Sequence, residues 1–251
     1  MPPVLPLVAA FLAGGVNSIA GGGSFLTFPS LVAAGMPPVL ANATSTVGLV
    51  PGAIASATTL KADLPRFEVA SARAMVAVSV LGGLIGASIL IFAPAKSFDV
   101  AVPFLLLVST VCFAFGDKLK KIHGERVSGP APVLFVQFLV AVYCGYFGAA
   151  GSLMMLAAWS VFGVTDVRGM SAMKNLLGAS ANCMASVFFA IAGKVLWQTA
   201  LPMAVCAALG GYLAARYGRE LSPKTVRVAI TCTNVIVTTL FFARWIRSLH
   251  A

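Results

Sequence analysis

Three consecutive glycines followed by a serine, Gly21-Gly22-Gly23-Ser24, lie in a stretch with no charged residue or histidine before Lys61. Each glycine costs about 1 kcal/mol relative to alanine inside a helix, so a helix reaching this text stops and restarts. A helix restarting at Ser24 presents unpaired N–H groups and the positive end of its dipole. Discontinuous helices use such ends to hold anionic groups, and Ser24 adds a hydroxyl and a candidate cap. The chemistry this text offers is anion binding. Close helix packing is the other use of such glycines. It stays open for Gly21–Gly23 and is the reading adopted for Gly82–Gly86 and Gly210–Ala214.

Two further groups bear on an anion. Ala41-Asn42-Ala43-Thr44-Ser45-Thr46 opens an apolar span, and polar side chains in hydrocarbon usually face a bundle interior. Gly169-Met170-Ser171-Ala172-Met173-Lys174-Asn175 opens another. Lys174 falls about 10 Å into its span by helix rise, where a lysine costs roughly 2.5–3.5 kcal/mol. It must snorkel, pair or face a polar cavity. Asp166 lies two turns away, which leaves an anionic substrate as an attractive partner. Arg73 and Arg168 sit nearer span ends, where snorkelling is the default. The expected binding set is Gly21, Gly22, Gly23, Ser24, Asn42, Thr44, Ser45, Gly151, Ser152, Ser171, Lys174 and Asn175.

These residues need elements to hold them, and the composition says which. The 251 residues have a mean hydropathy of +0.97, 59% hydrophobic and 10% charged residues. Soluble domains carry roughly 25% charge, so lipid must cover most of this surface. Charge-free runs recur at 74–95, 100–116, 127–165, 175–193, 195–215 and 228–243. Runs near 20 residues read as membrane-spanning helices, and they lack the alternation of a β-barrel. The net charge of +10 invites a nucleic-acid reading. The lysines and arginines lie between spans, however, which is the cytoplasmic bias of membrane proteins, so no nucleic-acid partner is expected. The five cysteines are scattered without a CxxC pair and read as small buried residues. The N-terminus lacks a basic n-region, so no cleavable signal is expected.

The chain resembles itself when shifted by 128 residues. Gly23-Ser24 falls on Gly151-Ser152, Gly35 on Gly163, Leu81-Gly82-Gly83 on Leu209-Gly210-Gly211, and Lys96 on Lys224. About one position in six matches, roughly twice the level this composition gives by chance. The fold class expected is an all-α polytopic transmembrane bundle of two homologous repeats with broken or re-entrant helices. The first repeat is 1–116, a polar linker covers 117–130, and the second repeat is 131–251. Helical elements are expected at 4–20, 24–34, 39–60, 69–93 and 97–116, then at 131–149, 152–162, 168–192, 195–216 and 224–246. Eight crossings would put both termini on the side of the basic linker. Five crossings per half would invert the repeat. Both counts stay open.

This text resembles the TauE/SafE family of sulfite and organosulfonate exporters over nearly the whole chain. The specific part is Gly21-Gly22-Gly23-Ser24-Phe25-Leu26-Thr27-Phe28-Pro29 with Leu31, then Gly35 and Ala41-Asn42-Ala43-Thr44-Ser45. The second copy, Gly148-Ala149-Ala150-Gly151-Ser152-Leu153-Met154, is degenerate, with Ala157 in place of the motif's proline. The resemblance implies export of a sulfur-containing anion such as sulfite or a sulfonate across the cell membrane.

An enzyme would need a nucleophile, base or metal set at depth. His123 lies in the polar linker and His250 at the C-terminus, and HExxH, GxSxG and paired intramembrane carboxylates are absent. No catalysis, metal or cofactor is expected. An anion channel, a carrier of a non-sulfur anion and an accessory subunit are the alternatives. Asp63, Glu68, Asp99, Asp166 and Glu220 all fall near span boundaries, so no carboxylate relay is legible. The driving ion and the oligomeric state stay open.

Overall fold

The computed structural model describes residues 4–19, 22–59, 61–67, 69–119, 129–217 and 223–249. The described residues form ten α-helices and a single 3₁₀ segment, with no strand among them. The helices are α1 (Val4–Ile19), α2 (Ser24–Ala33), α3 (Pro38–Thr59), α4 (Ala72–Phe92), α5 (Ala95–Leu119), α6 (Ala131–Tyr146), α7 (Gly151–Val161), α8 (Val167–Ile191), α9 (Trp197–Tyr217) and α10 (Pro223–Leu249). The 3₁₀ segment, Lys61–Arg66, links α3 to α4.

Capping explains several boundaries. Asp166 Oδ1 accepts the N–H groups of Arg168 (2.9 Å) and Gly169 (3.1 Å), which starts α8. Ser71 Oγ accepts from Ala74 N and starts α4. The starts of α2 and α7 lack such a side-chain cap. The residue before α2 is Gly23, so Ser24 is its first helical residue and not the cap expected from sequence. The end of α5 lies slightly beyond the expected one. Helix α5 runs on through Gly116 to Leu119, so the polar stretch begins as helix; 120–128 lie outside the described residues.

Short α2 and α7 are half-length elements. At 1.5 Å per residue each is about 15 Å long, half the roughly 30 Å hydrocarbon core. Both double back on the helix before them. A Cβ on Gly23 would meet Ala13 O at 2.6 Å and Asn17 Nδ2 at 2.8 Å, and one on Gly151 would strike Cys144 Sγ. Both stop in the same way, at Gly35 (φ +88) and Gly163 (φ +75). There Met36 N donates to Leu31 O and Val164 N to Trp159 O, which satisfies late carbonyls in the usual C-terminal manner.

Helix directions follow from paired contacts. Gln137 Nε2 donates to Ser79 Oγ (2.9 Å), and Gly82 and Gly86 lie over Ala141 and Gly145, so α4 and α6 run parallel. Gly83 lies against Ala181 and Phe92 against Phe188, so α4 and α8 are parallel too. Leu196 N donates to Thr44 Oγ1 (3.1 Å) and Gly48 faces Met203 and Ala200, so α3 parallels α9. The tight turn at Gly193 reverses the chain between α8 and α9. Helices α5 and α10 are antiparallel: Thr110 meets Thr238 (3.1 Å), and Phe104 meets Phe242 and Trp245. Phe98 meets Tyr146 and Ser109 meets Tyr143, so α5 runs antiparallel to α6; consequently α4, α6, α8 and α10 point one way, and α3, α5 and α9 the other.

Glycines let these helices approach closely. A side chain on Gly86 would collide with the Val142 carbonyl, and one on Gly210 with the Phe11 carbonyl. The core is aromatic around α2, where Phe28 contacts Phe98, Phe147 and Phe241. The outer surface is apolar, with Phe135 and Leu139 on α6, Leu201 and Val205 on α9, and Ile236 and Leu240 on α10 all exposed. Such a surface suits lipid. Among the described residues, α3 and α4 are both long and apolar enough to cross a membrane by length and hydropathy.

Candidate functional site

The two doubled-back tips meet around one cavity. It encloses about 80 Å³ and is lined by Gly22 and Ser24 from the first tip and by Gly148, Ala150, Gly151 and Ser152 from the second. Lys174, Asn175, Gly178 and Asn182 of α8 close one side, and Leu49, Ala53 and Ser56 of α3 another. A water needs roughly 10–15 Å³ by this measure, so several waters or a small oxyanion fit.

Each tip brings the first turn of a helix to this space, where the leading N–H groups lack intrahelical acceptors. The first bonds of α2 come from Phe25 N to Gly22 O (3.1 Å) and Leu26 N to Gly23 O (2.9 Å). In α7 they come from Leu153 N and Met154 N, both to Ala150 O (2.9 and 3.1 Å). Among the described residues, the N–H groups of Ser24, Gly151 and Ser152 have no acceptor, and all three residues line the cavity. Gly23 N–H is held instead by Asn17 Oδ1 at 2.7 Å, which pins the first tip. Ser109 Oγ contacts Ala149 O (3.4 Å) and the Tyr143 hydroxyl, which ties α5 to the second tip.

The tips also share an unusual backbone. Gly22 has φ +93, and Ala150, which the offset of 128 aligns with it, has φ +59. Ala150 is the only described non-glycine residue with positive φ, a conformation that costs an L-residue about 1–2 kcal/mol.

Lys174 supplies the charge. Its Nζ donates to Asn175 Oδ1 at 3.0 Å, both residues are half-buried, and both line the cavity. An ammonium offers three donors and a full positive charge. Two helix N-termini and one ammonium therefore bring positive potential to one polar-lined cavity.

Of the expected set, Gly22, Ser24, Gly151, Ser152, Lys174 and Asn175 are therefore gathered at one place. Gly21 lies outside the described residues. Gly23 flanks the cavity and packs against α1. Ser171 precedes Lys174 by one turn and is not on the cavity wall. Asn42, Thr44 and Ser45 are buried away from it and join helices. Asn42 Nδ2 donates to Tyr146 O (3.0 Å), Thr44 Oγ1 accepts from Leu196 N, and Ser45 Oγ shares a 2.6 Å bond with Thr27 Oγ1. Asn17, Ser56 and Asn182 line the cavity and were not expected. Asn182 was within reach of pattern reasoning, because Lys174, Gly178 and Asn182 recur at every fourth residue and so share a helix face.

Helices broken around a polar, cationic cavity under an apolar surface are features that membrane transporters share. The chain belongs to the family described as "Sulfite exporter TauE/SafE", whose sequence profile matches residues 6–241. It is 32% identical over 243 residues to the "Probable membrane transporter protein YfcA" of Escherichia coli (strain K12), covering 96% of this chain and 88% of that protein. A "Probable membrane transporter protein ORF9" of Sinorhizobium sp is 29% identical over 91% of this chain and 87% of its own length. A "Probable membrane transporter protein" of Haemophilus influenzae is 25% identical over 91% of this chain and 89% of its own length. No solved structure matches the chain. The chain is thus a member of a membrane transporter family.

Proposed function

We propose that this protein exports a small sulfur-containing anion, such as sulfite or an organosulfonate, across the cell membrane. The observation that carries the reading is the convergence of two half-helix N-termini and Lys174 on one cavity. The family description supplies the sulfur chemistry. Ser24, Gly151 and Ser152 offer backbone N–H groups to the anion's oxygens, Lys174 neutralises its charge, and Asn175 orients the ammonium.

The two halves act as an inverted repeat in a multi-pass bundle, with each α1–α2 and α6–α7 pair a re-entrant hairpin. Three crossings per half follow it: α3, α4 and α5, then α8, α9 and α10. Support comes from direction. Helices α3 and α8 are opposed, as are α4 and α9, and α5 and α10. Thr110 and Thr238, partners under the 128-residue offset, touch each other, as residues beside a two-fold axis would. Two inverted bundles around a central site are the architecture of alternating access.

Charge fits one orientation. The ends of α3, α5 and α9 lie at one end of the bundle, and the stretches 61–73, 118–126 and 216–227 that border them in sequence carry eleven of the seventeen lysines and arginines. By the positive-inside rule that end is cytoplasmic. An anion leaving a negative-inside cell gains about 2.3 kcal/mol per charge per 100 mV, which is sufficient drive for export.

Flux from proteoliposomes loaded with sulfite, sulfonates, sulfate or carboxylates tests the reading. Saturable efflux of a sulfur oxyanion is expected from the natural chain. Lys174→Met removes a charge-assisted contact of about 1.5–3 kcal/mol, roughly ten- to a hundredfold in affinity. Unaltered efflux by that variant sinks the charge role, and unsaturable flux favours a channel.

A further inference from the structure

Helix α8 has a second lined face. Behind the anion cavity lies a groove of about 510 Å³, almost wholly apolar, between α3, α4, α8 and the Lys61–Arg66 segment. Its walls include Ile54 and Ala57, Val80, and Cys183 and Val187, and Ala179 belongs to both the groove and the anion cavity. One cation, Lys61, borders it; this lysine is exposed where α3 ends.

We propose that this groove seats an acyl chain of an anionic phospholipid, with the headgroup phosphate at Lys61. The inference rests on the membrane placement argued above, because only lipid-facing space meets acyl chains. An apolar groove this size gives water few partners, and left empty it forfeits dispersion contacts along every wall. Hydrocarbon is the filler a bilayer supplies. From Leu176 to Val187 the α8 wall rises about 16 Å, a length of groove that an extended acyl chain can follow. Lys61 stands at the end of the bundle where the basic segments gather, which the charge bias assigns to the cytoplasm. The cytoplasmic leaflet carries the anionic lipids, so Lys61 and the headgroup are complementary. A chain held there backs the same helix that presents Lys174, Gly178 and Asn182 to the anion.

Native mass spectrometry of the delipidated full chain, titrated with phosphatidylglycerol and separately with phosphatidylcholine, tests this. The natural chain is expected to retain phosphatidylglycerol several-fold better. Lys61→Glu should abolish that preference. Ala57→Phe from the α3 wall and Cys183→Phe from the α8 wall each fill the groove and should lose retained lipid of both kinds. Two groove variants guard against one failing to fold, with circular dichroism as the check. Equal retention of the two lipids by the natural chain overturns the proposal. So does undiminished phosphatidylglycerol binding by a folded groove variant. The Lys174→Met efflux assay reads a different helix face, so its failure would remove the anion reading and leave the lipid result standing.

Discussion

The paired positions Gly22 and Ala150 show how much one residue decides. Both sit at positive φ where the chain enters a half-helix, and there glycine adopts the conformation freely and alanine does not. Ala150→Gly should therefore raise stability by about 1 kcal/mol or slightly less, after the added entropy of the unfolded chain. Gly22→Ala should lower it by about 1–2 kcal/mol. Thermal unfolding in detergent reads both, and opposite signs are the expected outcome; a loss in both variants would mean that the second tip is not strained. The same pair shows what was legible. A glycine run and an isolated lysine are anomalies in apolar text, so Gly22, Ser24, Gly151, Ser152 and Lys174 stood out. Asn42, Thr44 and Ser45 stood out too, yet they join helices. A buried hydroxyl or amide that clasps a neighbouring helix has the same sequence appearance as one that holds a ligand. The partners of these three, Tyr146, Leu196 and Thr27, belong to other elements. No local pattern reports them.

Helix boundaries were far more legible, because apolar runs, Asp166 and the glycine breaks mark them directly. The expected segments 39–60 and 168–192 became Pro38–Thr59 and Val167–Ile191. The packing role expected of Gly82–Gly86 is met at atomic range. The site where a Gly86 Cβ would stand is occupied by the Val142 carbonyl, with Tyr146 N at 2.6 Å. Backbone cannot yield there as a flexible side chain would. Gly86→Val should therefore separate α4 from α6 and cost about 3 kcal/mol, the upper range for overpacking. Gly52, with nothing within 4 Å of its Cβ position, is the internal control, and Gly52→Ala should be near neutral. Comparable melting temperatures for the two variants would contradict the packing account. What apolar runs could not give was direction. Whether a ten-residue helix returns to its starting side or passes on changes the parity of every later crossing. Hydropathy is blind to that choice.

Direction, once known, reorganises the whole molecule. With eight crossings, Arg216, Arg219, Lys224 and Arg227 would lie opposite the basic linker, at odds with the charge rule. With α2 and α7 as the returning half-helices proposed above, the end of α9 falls at the same end of the bundle as the end of α5, and the conflict disappears. The ends of α4 and α8 then face the other compartment, with Lys96 and Lys194 among the few cations there. The arrangement makes a definite demand on accessibility. Lys61 and Lys96 are both exposed, one just past the end of α3 and the other in the first turn of α5. They are separated by the full length of α4, about 30 Å. In a background without native cysteines, Lys61→Cys should react with a membrane-impermeant maleimide only after the cells are opened. Lys96→Cys should react in intact cells. A charge reversal at either position is unnecessary, because the readout depends on which compartment the thiol faces and not on transport. Labelling of both thiols from the same side would require an even number of crossings between them. That result would mean that α4 does not cross the membrane, and with it would fall the three crossings per half and the inverted repeat on which a two-state carrier depends.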